Sequence, residues 1–155
     1  MDMCRNLPDA QKVDYLLSFI QKNVRYQYDW NYLGLEEGTS VDFWRTPLHT
    51  MLSGAGDCDD SAVACCSLFK ACGFDTALII YDSSATGLAG CHAVSAVAAN
   101  GLHGDSYTKD GKEYYYCEPG SSNLKAGKSS MGFDFGGKRD AFYTRDKMPE
   151  HFLVV

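Results

Sequence analysis

Apolar residues recur at steps of three and four through PDAQKVDYLLSFIQKNV (8–24), where Val13, Leu16, Leu17, Ile20 and Val24 fall on one face. That period predicts an amphipathic helix, with Pro8 and Asp9 as a suitable start. The period is lost over RYQYDWNYLGLEEGTSVDFWRTPLHTMLSG (25–54), which is aromatic and broken by Gly34, Gly38 and Pro47. This stretch predicts a long structured loop with a short helix near 47–53, and loops of such length in compact domains are usually functional. Helical spacing returns in DDSAVACCSLFKACG (59–73), where Ala62, Cys65, Cys66, Phe69 and Cys72 form the inward stripe and Gly73 is a natural C-terminal stop. Three runs then read as strands: TALIIYD (76–82), HAVSAVAA (92–99) and KEYYYCE (112–118). TKDG (108–111) predicts a turn joining the last two into a hairpin. Beyond Pro119 the chain is rich in Gly, Ser and Lys to about residue 139, and AFYTRD and HFLVV follow as expected edge strands. Helices first and antiparallel strands after predict an α+β domain with segregated layers.

Size narrows this picture. At 155 residues and 45% hydrophobic content the chain suits one domain, residues 1–155, with a real core. A net charge of −6, a pI near 5.0 and the lack of any Lys/Arg run exclude nucleic acid and anionic membranes as natural partners. No apolar stretch approaches the length of about 18 residues needed to span a bilayer. The start, MDMCRNLPDAQK, lacks the basic-then-apolar order of a signal peptide. Seven cysteines (4, 58, 65, 66, 72, 91 and 117) leave at least one thiol free or paired between chains, and no CxxC pair points to a zinc ribbon. This usage suits a reducing, cytoplasmic setting, or an extracytoplasmic one if a leader has been removed. Nothing in the pattern specifies an oligomeric state.

The chemistry is concentrated in GAGDCDDS (54–61), where one cysteine stands among Asp57, Asp59 and Asp60. Cys58 follows a Gly-rich turn and opens the central helix. A helix N-terminus offers partial positive charge and unpaired N–H groups, which favour a thiolate and can hold an oxyanion. The acids are good cap and first-turn residues. Adjacent helical positions face away from one another, so the carboxylates are expected to point away from the sulfur into solvent, which dilutes their repulsion. Of the four histidines, 49, 92, 103 and 151, His92 begins a strand after one helix and one strand, enough chain to return to Cys58. Glu118 ends the neighbouring strand, where it could orient the ring. By bare spacing, Cys58, His92 and Glu118 are a weak signal, and each also reads as a satisfied structural residue. A metal site built on Cys91 and His92 is disfavoured, because adjacent strand residues point to opposite faces.

Resemblance sharpens the reading. FWRTPLHTMLSGAGDCDDSAVACCSLFKACGFDTALIIY resembles the core of the transglutaminase-like cysteine-enzyme superfamily, especially its stand-alone archaeal and bacterial members. FIQKNVRYQYD is similar to the family's first helix and the turn after it, GCHAVSAVAA to its histidine strand, and KEYYYCEPGSS to the strand bearing the third catalytic group. The likeness covers roughly residues 17–120. It implies a papain-like, transglutaminase-core fold in which the central helix bearing the Cys packs on an antiparallel sheet bearing the His and acid. It further implies thiol-dependent acyl transfer at amide bonds, with Cys58 as nucleophile, His92 as general base and acid, and Glu118 as the orienting acid. A protein or peptide substrate and water as acceptor make a cysteine peptidase or amidase. An amine acceptor makes a transglutaminase, and loss of chemistry leaves a binding module on the same fold. The oxyanion would take the backbone N–H of Cys58 and one side-chain donor, with Trp44, Trp30 and Gln21 as candidates, each of which also reads as a packing residue. Two departures stand out. His49 occupies a position where the family commonly has Glu, and the third group is Glu where many members have Asp. Some bacterial adhesin-cleaving members are calcium-dependent through acids beside the cysteine, and Asp57 and Asp59 match those acids. The ligand ladder of a dedicated calcium loop is missing, so the site is assigned no metal, and helix capping is the first reading of both residues.

Overall fold

A computed structural model describes residues 6–81, 92–128 and 151–155. The elements in chain order are α1 (Asp9–Asn23), β1 (Arg25–Tyr26), α2 (Asp29–Tyr32), α3 (Pro47–Ser53), β2 (Ala55–Gly56), α4 (Cys58–Ala71), β3 (Asp75–Tyr81), β4 (His92–Ala98), β5 (Ser106–Lys109), β6 (Lys112–Cys117) and β7 (His151–Val154). Strands β5, β6, β4, β3 and β7 lie side by side in that order and pair antiparallel throughout. β1 and β2 form a separate two-residue parallel pair. The architecture is α+β, with the helix bearing Cys58 packed on an antiparallel sheet that carries His92 and leads into Glu118.

The predicted helical stripes become the core between layers. Val13, Leu17 and Ile20 of α1 and Ala64, Cys65 and Phe69 of α4 are fully buried against Val97 of β4 and Cys117 of β6. Ala62 and Cys66 continue the contact onto Leu78 and Ala93. Each such Val, Leu, Ile or Phe contributes about 1.5–3 kcal/mol relative to exposure, so burial of the stripe, rather than helix propensity, holds α4 in place. Cys72, expected in that stripe, is only half-buried, because it already lies beyond the last turn, where Gly73 takes a φ of +87°. By the period of two, Ala77, Ile79, Val94 and Ala96 face the other side of the sheet, where they cluster with Tyr81, Tyr107, Tyr114 and Tyr116.

Two expectations are corrected. The turn at 108–111 is real, but it joins β6 to β5, a strand the pattern did not reveal, in the register Lys109↔Lys112. β4 and β6 are sheet neighbours without being that hairpin. β5 is four residues long and only Tyr107 of it is buried, so it carries almost no alternation to read. The long loop also contains more structure than expected, namely α2 and the β1–β2 pair. HFLVV forms the edge strand β7, whereas AFYTRD lies outside the described residues. Among the described residues, no helix is long and apolar enough to cross a membrane.

Candidate active site

Local sequence places the cysteine. Thr46 caps α3 by accepting from the His49 N–H at 3.3 Å, Pro47 starts it, and Gly54 ends it at a φ of +63°. The chain then runs through Ala55–Gly56, pinned beside Arg25–Tyr26, and Asp57 turns it into α4 with Cys58 as the first helical residue. Gly56 is required by contact. A Cβ there would lie 2.6 Å from Cβ of Asp60. Asp60 accepts from the Asp57 N–H at 3.3 Å, and its own N–H donates to Oδ1 of Asp59 at 2.8 Å.

His92 opens β4, and Glu118 directly follows β6, the strand beside it. The imidazole Nε2 donates to Oε2 of Glu118 at 2.7 Å, and Cys58 lies near enough for its charge to act on the ring. With Nε2 engaged, Nδ1 is the nitrogen left for the sulfur. Glu118 is no solvated strand end: it is 3% exposed and accepts three bonds. The other two come from the Gly120 N–H at 3.0 Å and the Tyr116 hydroxyl at 3.4 Å. Burial alone would lower the His92 pKa. The Glu118 charge, the hydrogen bonds to Cys58 and Glu118 and the charge of the sulfur outweigh it and push the pKa up to about 10. The ring therefore favours the imidazolium form. The structure brings Cys58, His92 and Glu118 to one place, with His92 and Glu118 hydrogen-bonded.

The acids do not behave as expected. Asp59 and Asp60 are buried, and Asp57 is half-buried, so solvent does not dilute their charge. Arg45, whose side chain is wholly buried, offsets part of it. It pairs with Asp60 at 3.1 Å and Asp29 at 3.4 Å, donates to the Ala55 carbonyl at 3.0 Å and stacks 4.0 Å from the Tyr32 ring centroid. Burial, then the hydrogen bond and charge of Asp59, with Cys58 and Asp29 adding theirs, raise Asp57 to about 9. Asp57 thus favours its neutral form at neutral pH, which removes one negative charge beside the sulfur. Sequence reasoning missed Arg45, because its partners lie 15 and 16 residues away with no local spacing rule.

The other candidates separate cleanly. Both amide hydrogens of Gln21 are committed, to the Glu118 carbonyl at 3.0 Å and the Leu124 carbonyl at 2.9 Å. It ties the Glu118 backbone to α1 and has no hydrogen left for an oxyanion. Trp30 stacks on Tyr28 at 5.6 Å between centroids, and Trp44 is 45% exposed. Tyr114 and Tyr116 do share a face with Glu118, but that face is core, 4% and 0% exposed, and not a substrate groove. Tyr116 serves instead as a buried donor to Glu118. Cys65, Cys66 and Cys117 are free thiols in the core. Burial raises all three, Cys66 to about 12, which leaves them inert.

No protein-family model matches the chain, and no curated protein matches it in sequence. Among solved structures, LapG of Legionella pneumophila superposes with a TM-score of 0.56 at 23% identity, over 81% of this chain and 61% of that one. The EGTA-treated form of LapG superposes at 0.54 and 21%, over 80% and 60%. The α+β fold is the one that LapG adopts. At these identities the likeness is one of fold, and the chain spans about three-fifths of the length of LapG. In this chain Cys58 opens α4, His92 opens β4 and Glu118 directly follows β6, the strand beside it.

Proposed function

We propose that this chain is a thiol-dependent acyl-transfer enzyme acting at amide bonds of a protein or peptide, with water as acceptor: a cysteine peptidase or amidase. The observation that carries the reading is the 2.7 Å bond from His92 to the buried Glu118, beside Cys58 at the start of α4. His92 holds the proton taken from Cys58, and Glu118 fixes the ring and stabilises the imidazolium. The sulfur attacks the amide carbonyl, and the backbone N–H of Cys58 at the start of α4 donates to the oxyanion. His92 then protonates the leaving amine. A water activated by the same ring releases the acyl group from the thioester.

The acid cluster fits a divalent cation of calcium type. Asp57 Oδ1 and Asp59 Oδ2 are buried without a hydrogen-bond donor, and carboxylate oxygens are the ligands such an ion prefers. Two groups bring three ligand atoms within 4.8 Å of one another: Asp57, Cys58 and Asp59, and the all-carboxylate set Asp29, Asp57 and Asp60. When bound, the ion would replace the Asp57 proton as the charge that neutralises the cluster.

The test is active-site acylation. An activated ester such as p-nitrophenyl acetate should give a burst of one acyl group per chain, mapped to Cys58 by mass spectrometry and absent in Cys58→Ala. Release by water but not by added primary amines supports a hydrolase. Faster release by amines would make the chain a transglutaminase. No acylation of Cys58 would leave a binding module.

A further inference from the structure

The chain that runs past the cysteine carries a ladder of rings. Tyr26, Tyr28 and Trp30 alternate with Gln27 and the buried Asp29. Tyr26 and Tyr28 meet edge-on at 5.2 Å between centroids, and Tyr28 stacks on Trp30 at 5.6 Å and 14°. Three contacts fix the ladder against the site. Tyr26 pairs with Gly56, two positions before Cys58. A Cβ at Gly120 would approach its Cε2 to 3.9 Å, and the Gly120 N–H donates to Glu118. Asp29, between the other two rings, has a carboxylate oxygen within 4.8 Å of those of Asp57 and Asp60 at the start of α4. The rings therefore flank the helix start that bears Cys58, and Tyr26 and Tyr28 are 46% and 53% exposed. Exposed apolar surface continuous with a reactive centre is a docking face, and its charge says what docks. The loop 35–43 closes onto the far end of the ladder, with the Leu35 N–H donating to the Trp30 carbonyl at 2.8 Å and the Phe43 N–H to Oδ2 of Asp29 at 2.5 Å. That loop carries Glu36, Glu37 and Asp42, all exposed, and no Lys or Arg.

We propose that Tyr26, Tyr28 and Trp30, with Glu36, Glu37 and Asp42 at their far end, form a subsite that selects peptide substrates bearing Lys or Arg near the scissile amide. This rests on the acyl-transfer reading and names its substrate class. Ring-to-ring steps of 5.2 and 5.6 Å together cover about three residues of extended peptide at roughly 3.3 Å each. A substrate with its amide at Cys58 lays the next residues across the rings and brings a basic side chain to the acids. The apolar stem of Lys or Arg packs on an aromatic face, the ring quadrupole attracts the charged head, and the carboxylates complete its surroundings. An acidic peptide meets like charge at the same place and is rejected. The net charge of −6 on the whole chain steers encounter in the same sense.

Protection of Cys58 tests the subsite without requiring turnover. Tetralysine and tetraglutamate are compared, at one low salt concentration, for slowing the alkylation of Cys58 by iodoacetamide. Tetralysine should protect at a concentration at least about 10-fold lower than tetraglutamate, the equivalent of about 1.4 kcal/mol. Tyr28→Ala leaves the net charge unchanged and removes one exposed ring, and it should raise the protecting concentration of tetralysine about 2- to 5-fold, as for loss of an exposed cation–π contact. Glu36→Gln with Glu37→Gln should raise it by a similar factor. The alkylation rate without peptide reports that the site is intact in each variant. Equal protection by the two peptides overturns the proposal. So does protection by tetralysine that is undiminished in Tyr28→Ala, which would be bulk attraction of a cation to an acidic chain. Protection of the expected pattern in a chain whose Cys58 is not acylated by p-nitrophenyl acetate overturns the acyl-transfer reading instead, and makes the ladder the ligand site of a binding module.

Discussion

Replacing Glu118 by Gln tests the row of three groups most directly, because it keeps the shape and removes the charge. In the wild type, Oε2 accepts from His92 at 2.7 Å and from Tyr116 at 3.4 Å, while Oε1 accepts from the Gly120 N–H at 3.0 Å. An amide cannot serve both sides. If its oxygen stays on His92, its NH2 faces the Gly120 N–H, donor against donor. An opposite charge at contact shifts a pKa by about 1–3 units, which at 1.36 kcal/mol per unit is about 1.4–4 kcal/mol. The His92 pKa, pushed up to about 10 in the wild type, should drop by that amount. Activity that needs the protonated ring should then lose its alkaline limb at correspondingly lower pH. Turnover should fall about 10- to 10⁴-fold, the range for orienting acids in such triads. The assay is kcat/KM against pH on any ester or amide the enzyme accepts, with Cys58→Ala as the blank. Stability follows the same proton. A folded-state pKa above the ordinary histidine value of 6.5 stabilises fully below that value, and the gain is lost as pH rises through about 10. The melting-temperature gap between wild type and Glu118→Gln should therefore be widest near pH 6 and shrink toward pH 10. Unchanged turnover together with an unmoved alkaline limb would remove Glu118 from the mechanism and leave a Cys58–His92 pair.

Four further outcomes follow from the same geometry. Arg45→Met should cost about 3–5 kcal/mol in chemical denaturation, as for removal of one partner of a buried ion pair. That deficit should narrow in acid, where Asp29 and Asp60, held by burial above the ordinary carboxylate range, take up protons; a deficit independent of pH would refute the pairing. Gly56→Ala should destabilise by about 1–3 kcal/mol through its clash with Asp60, and a neutral result by thermal melting would mean the turn before Cys58 is looser than described. Iodoacetamide at neutral pH should modify Cys58 while Cys65, Cys66 and Cys117 resist until the chain is unfolded, and labelling of Cys65 at a rate comparable to Cys58 would contradict the core packing. Calcium at 100 times its dissociation constant should stabilise by about 2.7 kcal/mol, with the shift lost in Asp57→Asn and on chelation; identical melting curves with calcium and with chelator would leave protonation of Asp57 as the way the cluster is neutralised.

Periodicity alone determined where α1 and α4 run, because each must bury one stripe and the apolar spacing records that stripe residue by residue. It also placed Cys58 at a helix start, His92 at a strand start and Glu118 at a strand end, a weak signal by spacing that the resemblance of GDCDD, GCHAVSAVAA and KEYYYCE to a known family turned into a grouping. Only the tertiary structure decided what surrounds them. Alternation put Tyr114, Tyr116 and Glu118 on one face but carries no mark of whether that face meets core or groove, and packing around Tyr107 and Phe152 made it core. A two-residue strand has no period to detect, so the pairing that sets Arg25–Tyr26 beside Ala55–Gly56, just before Cys58, was invisible along the chain. Charge balance was equally hidden. GDCDD reads as an exposed acidic cap until Arg45, brought in from the long loop, buries it, and the free energy of that burial depends on distances that only the folded chain defines.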